Sequence, residues 1–303
     1  MSAVPKLLVV GGNGFLGSAI CKAAVSRGWE VSSMSSSGKP YKTPAGHTPA
    51  WSQSVTYHAA SAFDPPSFSS LVADSTAVVH TIGILLEDAK YKQNIRDGNL
   101  LGLARSLLGV DAGNPLKTAQ DKLSGYEGMN RDSALNILDA MLSPTPSSSS
   151  SSSKTRPFVY ISAADAFRPL IPSRYIETKR QAEQEITNRC LASPEAHIRP
   201  LFMRPGLMYH PHIRPLSTLP AFLLSLTATL AEHTSGSNPF ASKSALAGAA
   251  EAMRTHPIHV DHVAEAVVRC IADENKEGVV EVNTMREWAG FNGRGGRREA
   301  AAL

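Results

Sequence analysis

The stretch Val10-Gly11-Gly12-Asn13-Gly14-Phe15-Leu16-Gly17 decides the fold of this chain. It follows a short apolar run, residues 6–10, that is typical of a β-strand, and it precedes a segment with helical periodicity, residues 18–27. Glycine permits a tight turn and lets the backbone approach a pyrophosphate, while the N-terminus of the helix favours the phosphate charge. The spacing therefore predicts a dinucleotide-binding loop, with a purely structural turn as the alternative.

Further apolar runs follow the loop at intervals that leave room for helices. They cover residues 30–34, 55–57, 77–82, 158–161 and 198–203. Strands that alternate with helices form a parallel sheet covered on both faces. The sequence thus predicts an α/β fold with a Rossmann-type doubly wound parallel sheet in residues 1–206. A small, partly helical C-terminal lobe is expected in residues 207–255, and residues 256–285 are expected to return to the sheet.

Three stretches interrupt the alternation. The Ser-rich residues 143–155 have no apolar surface to offset their ordering entropy, so we expect a disordered loop. For the same reason, residues 286–303 are expected to form a flexible basic tail. The polar segment between residues 84 and 126 is too long for a simple connection and predicts a lid or an insertion.

The composition excludes several classes of protein. With 303 residues, 42% of them hydrophobic and 18% charged, the chain is typical of soluble globular proteins and not of disordered or membrane-spanning ones. Lys and Arg number 30 against 26 Asp and Glu, and the tail carries part of that excess. A basic face on the folded domain is not needed to explain the charge, so nucleic acid is not an expected partner.

Cysteine and histidine spacing gives no metal site. The three cysteines, Cys21, Cys190 and Cys270, lack CxxC spacing, which argues against a disulfide framework or structural zinc and favours a reducing compartment. Among the histidines, His259 is expected in a short strand with Val260, followed by Asp261 as a helix N-cap. Because the first predicted strand begins near Lys6, no cleavable presequence is expected, and any organelle import would use a non-cleaved or internal signal.

The end of the second predicted strand bears on the kind of dinucleotide. NAD-binding proteins usually have an acidic residue there, which binds the ribose 2′-hydroxyl. This chain has Ser35, Ser36, Ser37 and Lys39 instead. Because no carboxylate would repel a 2′-phosphate and Lys39 could bind one, the sequence favours NADP over NAD, the alternative being that Lys39 is a solvated loop lysine.

Two later strand ends add candidate cofactor contacts. Asp64 follows the third strand and could reach the adenine, although the prolines after it make a turn-forming role equally acceptable. The fourth strand ends on Thr81, Ile82 and Gly83. There Gly83 would let the backbone pass close to the cofactor ribose, or it would simply end the strand.

A YxxxK motif, Tyr175 to Lys179, lies on a predicted helix after the fifth strand. Positions i and i+4 share one helix face, so the ammonium lies near the phenol and can lower its pKa from about 10. Such a tyrosine is a usable proton donor or acceptor. Ser162, at the end of the fifth strand, precedes the motif.

In its motifs and their order, the sequence resembles the extended, atypical branch of the short-chain dehydrogenase/reductase superfamily over about residues 4–285. The matching pieces are GGNGFLG, VVHTIG, Asn130-Arg131-Asp132-Ser133, YISA, YIETK, MRPG and HPIHVDHVAEA. It is most similar to the fungal mitochondrial members associated with the coenzyme Q (ubiquinone) biosynthesis complex, and also to the NADPH-binding accessory subunit of respiratory complex I. The resemblance implies a bound NADP(H) or NAD(H) and a matrix-side position at the mitochondrial inner membrane. It also implies partners in the coenzyme Q complex.

The resemblance also implies roles for individual residues. Tyr175 would be the acid/base, Lys179 would bind the nicotinamide ribose and tune Tyr175, and Ser162 would polarise a substrate carbonyl. The nicotinamide side would be lined by Arg204, Pro205 and Gly206. Asn130 is either the fourth polar residue of the site or a helix-surface amide.

Two departures from the family pattern leave the activity open. Ala163 and Ala164 follow Ser162, where active relatives often have further hydroxyls, and Ser36 stands where close relatives are expected to have arginine. The expected function is an oxidoreductase acting on a small molecule such as a quinone precursor. The alternatives are an inactive assembly or regulatory subunit of the coenzyme Q complex and a nucleotide-sugar epimerase or dehydratase. The apolar residues 216–230 form core, a partner surface or a peripheral membrane contact.

Overall fold

A parallel sheet forms the centre of the molecule. The computed structural model describes residues 4–85, 123, 125–143, 155–165, 172–213 and 256–291. Within these residues the sheet has seven strands, in the order β3-β2-β1-β4-β5-β6-β9. They are β1 (Lys6–Val10), β2 (Glu30–Ser35), β3 (Val55–Ala59), β4 (Ala77–His80), β5 (Arg156–Ile161), β6 (Ile198–Arg204) and β9 (Gly278–Glu281). A separate parallel pair consists of β7 (Met208–Tyr209) and β8 (Ile258–His259).

Helices cover both faces of the sheet. They are α1 (Phe15–Val25), α2 (Pro65–Asp74), α3 (Ser133–Leu142), α4 (Ser173–Ala192), α5 (Val260–Ala272) and α6 (Val282–Trp288). A π-helical turn, Gly128–Asp132, leads directly into α3, and short 3₁₀ turns occupy Ala50–Ser54 and Pro194–Ala196. Within the described ranges, no helix is long and apolar enough to cross a membrane.

The core has two halves because side chains of a strand alternate between the faces of the sheet. Along β1, Leu7 and Val9 pack with α1 and α5 on one face, whereas Leu8 and Val10 pack with α2 and α3 on the other. All four are at most 1% exposed. This burial on both faces accounts for the uninterrupted apolar run at the start of the chain, and it confirms the predicted doubly wound α/β fold.

The strand order also locates the ligand crevice. The chain moves outward from β1 to β2 and β3, then crosses back so that β4 pairs with β1 on its other side. In such sheets, ligands bind at the carboxyl ends of the strands where the order reverses. The glycine loop after β1 and residues 81–83 after β4 meet at this point.

Several predicted boundaries are wrong by a few residues. Helix α1 begins at Phe15, not at residue 18, because the glycine loop already turns into the helix at Gly14. His259, not Asp261, is the N-cap of α5, since its Nδ1 accepts a hydrogen bond from the backbone N–H of Asp261 at 3.2 Å. The predicted tail begins too early at residue 286, because α6 continues to Trp288.

Other predicted segments lie outside the described residues. They are most of the lid or insertion (residues 86–122), the Ser-rich residues 144–154, most of the predicted tail (residues 292–303), and residues 214–255, which include most of the small lobe and the apolar stretch 216–230.

Candidate active site

The glycine loop has no space for side chains at three of its positions. A Cβ at Gly17 would lie 2.2 Å from the carbonyl oxygen of Gly11, and one at Gly12 would lie 2.3 Å from Ser33 Oγ. Gly11 has a positive φ of 86°, and a Cβ there would lie 2.6 Å from Thr81 Oγ1. These glycines let loop, helix and strands meet, as a dinucleotide-binding turn requires.

Gly14 differs from the other three glycines. It is exposed at the N-cap of α1 with an ordinary φ of −75°, and a Cβ there would meet only the carbonyl oxygen of Gly11, at 3.1 Å. Its place is the opening of the loop towards solvent, at the start of a helix whose first N–H groups favour an anion. The backbone of this loop therefore fits a pyrophosphate.

The remaining loop residues divide between core and crevice. Leu16 is only 6% exposed and belongs to the core, and Phe15 packs against that core. Their side chains therefore support the loop, which leaves their backbone for any contact with a cofactor. Asn13 is half-buried, and its amide bonds to the segment after β2.

The segment after β2 presents polar side chains to solvent. Ser36, Ser37 and Lys39 are exposed, while Ser35 is half-buried and its Oγ accepts a hydrogen bond from the backbone N–H of Gly38 at 3.2 Å. The exposed hydroxyls and the ammonium are the kinds of hydrogen-bond donors expected in a phosphate-binding site. Asp64 is exposed at the N-cap position of α2 and makes no side-chain capping bond, in a turn where Ser67 donates to its carbonyl.

The end of β4 meets the glycine loop and the predicted catalytic lysine. Thr81 Oγ1 donates to the carbonyl oxygen of Val10 at 2.8 Å, which ties β4 to the loop. Ile82 packs against the core on the α2 and α3 face. A Cβ at Gly83 would lie 2.9 Å from Lys179 Nζ and equally close to Asn130 Oδ1. The structure thus brings three of the predicted site residues together.

Lys179 is buried at the inner face of α4. It is 3% exposed, and its Nζ donates to the carbonyl oxygen of Ile161 at 2.8 Å and lies 4.7 Å from the centre of the Tyr160 ring. Burial lowers the pKa of this ammonium to about 7 because the charged form loses its hydration. The lysine can therefore exist in either protonation state near neutral pH.

Tyr175 lies one helical turn before Lys179 and is half-buried. Its ring packs edge-on against Tyr126, with 6.3 Å between the ring centres. Tyr126 in turn donates through its hydroxyl to the carbonyl oxygen of Leu85 at 2.9 Å. The tyrosine ring is therefore packed on one side by Tyr126 and remains partly accessible.

Asn130 is buried and does not lie on the helix surface, so the surface alternative is wrong. It is fully buried in the π-helical turn, where its side-chain amide accepts from the backbone N–H of Ile84 at 2.8 Å and donates to the carbonyl of Ile84 at 3.1 Å. Its own backbone carbonyl accepts from the hydroxyl of Tyr160. π-Helical turns of this kind are frequent at functional sites.

A buried histidine supports this turn, and sequence reasoning missed it. The ring of His80 stacks on Tyr160 at 5.8 Å between ring centres, and its Nε2 lies 3.0 Å from Ser133 Oγ. Burial lowers the pKa of His80 to about 3, with a further contribution from Lys179. His80 is thus neutral at physiological pH and acts as a hydrogen-bonding spacer under the site. The motif VVHTIG contains this residue, but its apolar neighbours hide the polar role.

Ser162 is bonded by an arginine that sequence reasoning did not single out. The hydroxyl is 3% exposed, and its Oγ accepts from Arg180 at 2.9 Å. Arg180 also donates to the carbonyl of Ala163 at 2.9 Å and to Glu183 at 2.8 Å. Ser162 is therefore buried against a guanidinium just after β5. The predicted role of its hydroxyl at a substrate carbonyl remains a prediction.

Arg204 is part of the same ionic cluster. Its guanidinium binds both oxygens of Glu183, which is 6% exposed, and donates to Glu281 at 2.8 Å. These pairs raise the pKa of Arg204, so it stays charged at any pH the protein experiences. Pro205 is buried, and its carbonyl accepts from the backbone N–H of Ala164 at 2.9 Å. Gly206 follows Pro205 just after β6 and is half-buried.

Histidines gather at a separate place, beyond β6. His210 and His259 lie 4.8 Å apart by ring centre, and His262 lies 5.7 Å from His259. His256 is buried nearby in sequence. Across the described part of the chain, no group of three metal-ligating side chains has the geometry to hold an ion.

A cavity among the described residues also lies elsewhere. It has a volume of about 580 Å³ and is lined by residues of α5 and α6 such as Arg269 and Trp288. None of the predicted site residues lines it. The crevice between β1 and β4 is nevertheless the better candidate, because the glycine loop and the buried polar residues converge there.

Known proteins give an independent view of the same chain. Residues 7–106 match the NAD dependent epimerase/dehydratase family. Over 213 residues the chain is 40% identical to MIOREX complex component 2 of Saccharomyces cerevisiae, an alignment that covers 69% of this chain and 74% of the yeast protein.

Solved structures share the fold at low identity. A 3-oxoacyl-[acyl-carrier protein] reductase with bound NAD from Brucella melitensis is 15% identical with a TM-score of 0.55, covering 92% of this chain and 89% of that one. ElxO with NADP bound is 12% identical with a TM-score of 0.57, covering 94% and 100%. Together with the 40% identity to the yeast protein, the fold and the motifs show that the chain belongs to the family of MIOREX complex component 2, within the atypical short-chain dehydrogenase/reductases.

Proposed function

We propose that this chain binds NADP(H), with NAD(H) as the alternative, and acts as an oxidoreductase in which Tyr175 transfers the proton. The observation that carries the proposal is the meeting of Lys179, Asn130 and Gly83 in the crevice, one helical turn from Tyr175. A buried lysine one helical turn from a tyrosine, at the carboxyl end of parallel strands, is an arrangement suited to acid–base chemistry.

Each part of the cofactor has residues that could hold it. The backbone at Gly14 and the start of α1 would bind the pyrophosphate, and the exposed Ser36, Ser37 and Lys39 would bind a 2′-phosphate. Lys179 would donate to a ribose hydroxyl next to Gly83. When bound, the nicotinamide ring supplies or accepts a hydride at its C4 atom.

The chain's own residues would manage the proton. In the reducing direction, Tyr175 would donate its phenolic proton to the carbonyl oxygen as the carbonyl carbon gains the hydride, giving an alcohol. Lys179 would stabilise the resulting phenolate by its positive charge. Ser162, whose Oγ accepts from Arg180, keeps its own hydroxyl hydrogen available for the substrate oxygen.

The cellular setting proposed is mitochondrial ubiquinone biosynthesis. The resemblance to the coenzyme Q-associated family and the kinship with a component of a yeast complex support it. In this setting the substrate would be a quinone precursor and the partners would be proteins of the coenzyme Q complex. The protein would lie on the matrix side of the inner membrane, where residues 216–230 could touch lipid.

A structural subunit is the second candidate function. Ser162 is buried and bonded by Arg180, and Ala163 and Ala164 supply no further hydroxyl. In that case the nucleotide would stabilise the fold and the complex without turning over. The match of residues 7–106 to the NAD dependent epimerase/dehydratase family keeps a nucleotide-sugar epimerase or dehydratase as a third.

Parallel titrations with NADPH and NADH test the cofactor proposal. Nicotinamide fluorescence and thermal stabilisation would be followed, because a ligand that binds the native state raises apparent stability. We expect NADPH to bind more tightly than NADH. Gly14→Leu is the variant expected to lose binding of both nucleotides, since a Cβ there meets only the carbonyl oxygen of Gly11 and the added side chain would occupy the proposed pyrophosphate position. Binding of neither nucleotide to the unsubstituted protein would overturn the proposal.

Tyr175→Phe separates the enzyme from the subunit. In cells that depend on this protein for quinone synthesis, the enzyme proposal expects Tyr175→Phe and Gly14→Leu both to abolish function. If Tyr175→Phe sustains quinone synthesis while Gly14→Leu does not, the nucleotide serves a structural role and catalysis by Tyr175 is wrong.

A further inference from the structure

Asn13 connects the glycine loop to the segment that follows β2. Its Nδ2 donates to Ser35 Oγ at 3.3 Å and to the backbone carbonyl of Lys39, and its Oδ1 accepts from Ser33 Oγ at 3.4 Å. One side chain thus bonds to both ends of the segment 35–39 and to the strand beneath it. No other side chain in the described part of the glycine loop has these bonds.

The segment 35–39 is fixed on its other side as well. Gly38 has a positive φ of 60°, and a Cβ there would lie 2.7 Å from the backbone nitrogen of Ala59. The backbone N–H of Ala60 donates to the carbonyl of Ser35 at 3.0 Å. The turn is therefore held between β3 and Asn13. Of these two supports, only Asn13 is a side chain that can be changed without altering the turn's own backbone.

The exposed face of this turn suits an anion. Residues 33–41 contain no carboxylate, and the turn presents the hydroxyls of Ser36 and Ser37 and the ammonium of Lys39. A compact phosphate could accept hydrogen bonds from all three groups if the backbone holds them on one side. Whether the three groups converge depends on where the backbone of Lys39 is held. Asn13 holds it through the hydrogen bond from its Nδ2 to the Lys39 carbonyl.

We propose that Asn13 is a positioning residue that sets the preference for a 2′-phosphorylated dinucleotide. It preorganises the turn so that Ser36, Ser37 and Lys39 are placed before the ligand arrives, and the ordering cost is met on folding. Asparagine suits the task because one amide offers two donors and an acceptor. Aspartate would lose both donors and place a negative charge beside the phosphate. The proposal rests on the proposed binding of NADP(H).

The test is the ratio of NADPH to NADH affinity in purified variants. We expect Asn13→Ala to weaken NADPH binding by about tenfold, the scale of one or two lost hydrogen bonds, and to change NADH binding by less than about twofold. Asn13→Asp should weaken NADPH binding further and leave NADH binding close to that of Asn13→Ala. Thermal unfolding without ligand checks that each variant is folded.

Two further variants sharpen the comparison. Asn283→Ala removes an exposed asparagine on α6, at the opposite edge of the sheet, and should leave both affinities unchanged. Lys39→Met should weaken NADPH binding, and adding Asn13→Ala to it should cost less than the two separate losses combined, because both act on the same phosphate contact.

The outcomes distinguish this inference from the proposed function. An equal loss of NADPH and NADH affinity in Asn13→Ala would mean that Asn13 supports the glycine loop in general, and the inference would be overturned while dinucleotide binding stands. Unchanged affinities for both would also overturn it. If the unsubstituted protein binds neither nucleotide, or prefers NADH, the proposed NADP(H) function fails, and the inference fails with it.

Discussion

The ammonium of Lys179 occupies the space that a side chain at Gly83 would fill, since a Cβ at Gly83 would lie 2.9 Å from Lys179 Nζ. Asn130 Oδ1 would be equally close. The glycine at the end of β4 therefore does more than end the strand, because it lets two polar side chains from other elements reach the crevice.

Gly83→Ala tests this packing. The lysine end can withdraw, but the amide of Asn130 is held by two hydrogen bonds to Ile84, so we expect a loss of about 1–3 kcal/mol in the free energy of unfolding. Urea unfolding measures it. Gly14→Ala, at the exposed position of the glycine loop, should cost less. Equal stability of Gly83→Ala and the unsubstituted protein would show that the space at Gly83 is not filled.

The buried lysine, Lys179, should make the stability of the protein depend on pH in the alkaline range. The pKa of Lys179 is lowered to about 7 in the folded protein from its ordinary 10.5, so between these values the unfolded chain binds the extra proton. Stability should therefore rise with pH in this window, by up to about 1.4 kcal/mol per pH unit from this group. Urea unfolding at pH 7.5 and 9 measures the slope. Lys179→Met should remove this contribution, and identical slopes in both proteins would contradict the prediction.

The buried histidine, His80, should make the protein less stable at acid pH. The pKa of His80 is lowered to about 3 from 6.5, so the unfolded chain again binds the extra proton, now between pH 6.5 and 3. Stability should fall as the pH drops through this window. His80→Phe keeps an aromatic ring next to Tyr160 and should lose less stability between pH 6.5 and 5 than the unsubstituted protein does.

The control for this experiment is an exposed histidine. His47 lies in a loop on the surface, and His47→Gln should leave the acid dependence as it is. If His80→Phe shows the same fall with pH as His47→Gln, the acid sensitivity arises elsewhere in the molecule.

Glu183 on α4 should be important for the stability of the protein. Its carboxylate bonds to Arg204 and Arg180, whose side chains are 20% and 30% exposed. Glu183→Gln would leave two guanidinium groups facing each other, and we expect a loss of about 3 kcal/mol, the low end for a broken buried pair, because water reaches both arginines. Glu185→Gln, exposed on the same helix, should change thermal and urea unfolding little. Similar values for the two variants would contradict the role of the cluster.

Local sequence signals were enough to predict the fold and one part of the site. The glycine spacing after an apolar run depends on neighbours in the chain, and the glycine-loop side of the crevice follows from it. The YxxxK motif works in the same way, because Tyr175 and Lys179 lie one turn apart on a single helix.

The remaining parts depend on contacts between distant segments. Asn130 could not be assigned to surface or site from its own helix, since its partner Ile84 is 46 residues away. His80 and Ser133 are 53 residues apart, and Arg204 meets Glu281 across 77. No periodicity reports such pairs. From the sequence alone, a charged side chain such as Arg180 is expected to be solvated, and only the fold shows that Ser162 lies beside it.

The packing of α1 against α5 has a consequence for how the protein is made. Lys22 on α1 and Asp261 on α5 form an ion pair although they are 239 residues apart in the chain. Apolar residues of α1, among them Ile20 and Ala23, share a core with Val263 and Val267 of α5. A ribosome adds about 5–20 residues per second, so this face of α1 waits roughly 10–50 s for its cover. This half of the core is therefore expected to complete its packing only after α5 has been synthesised.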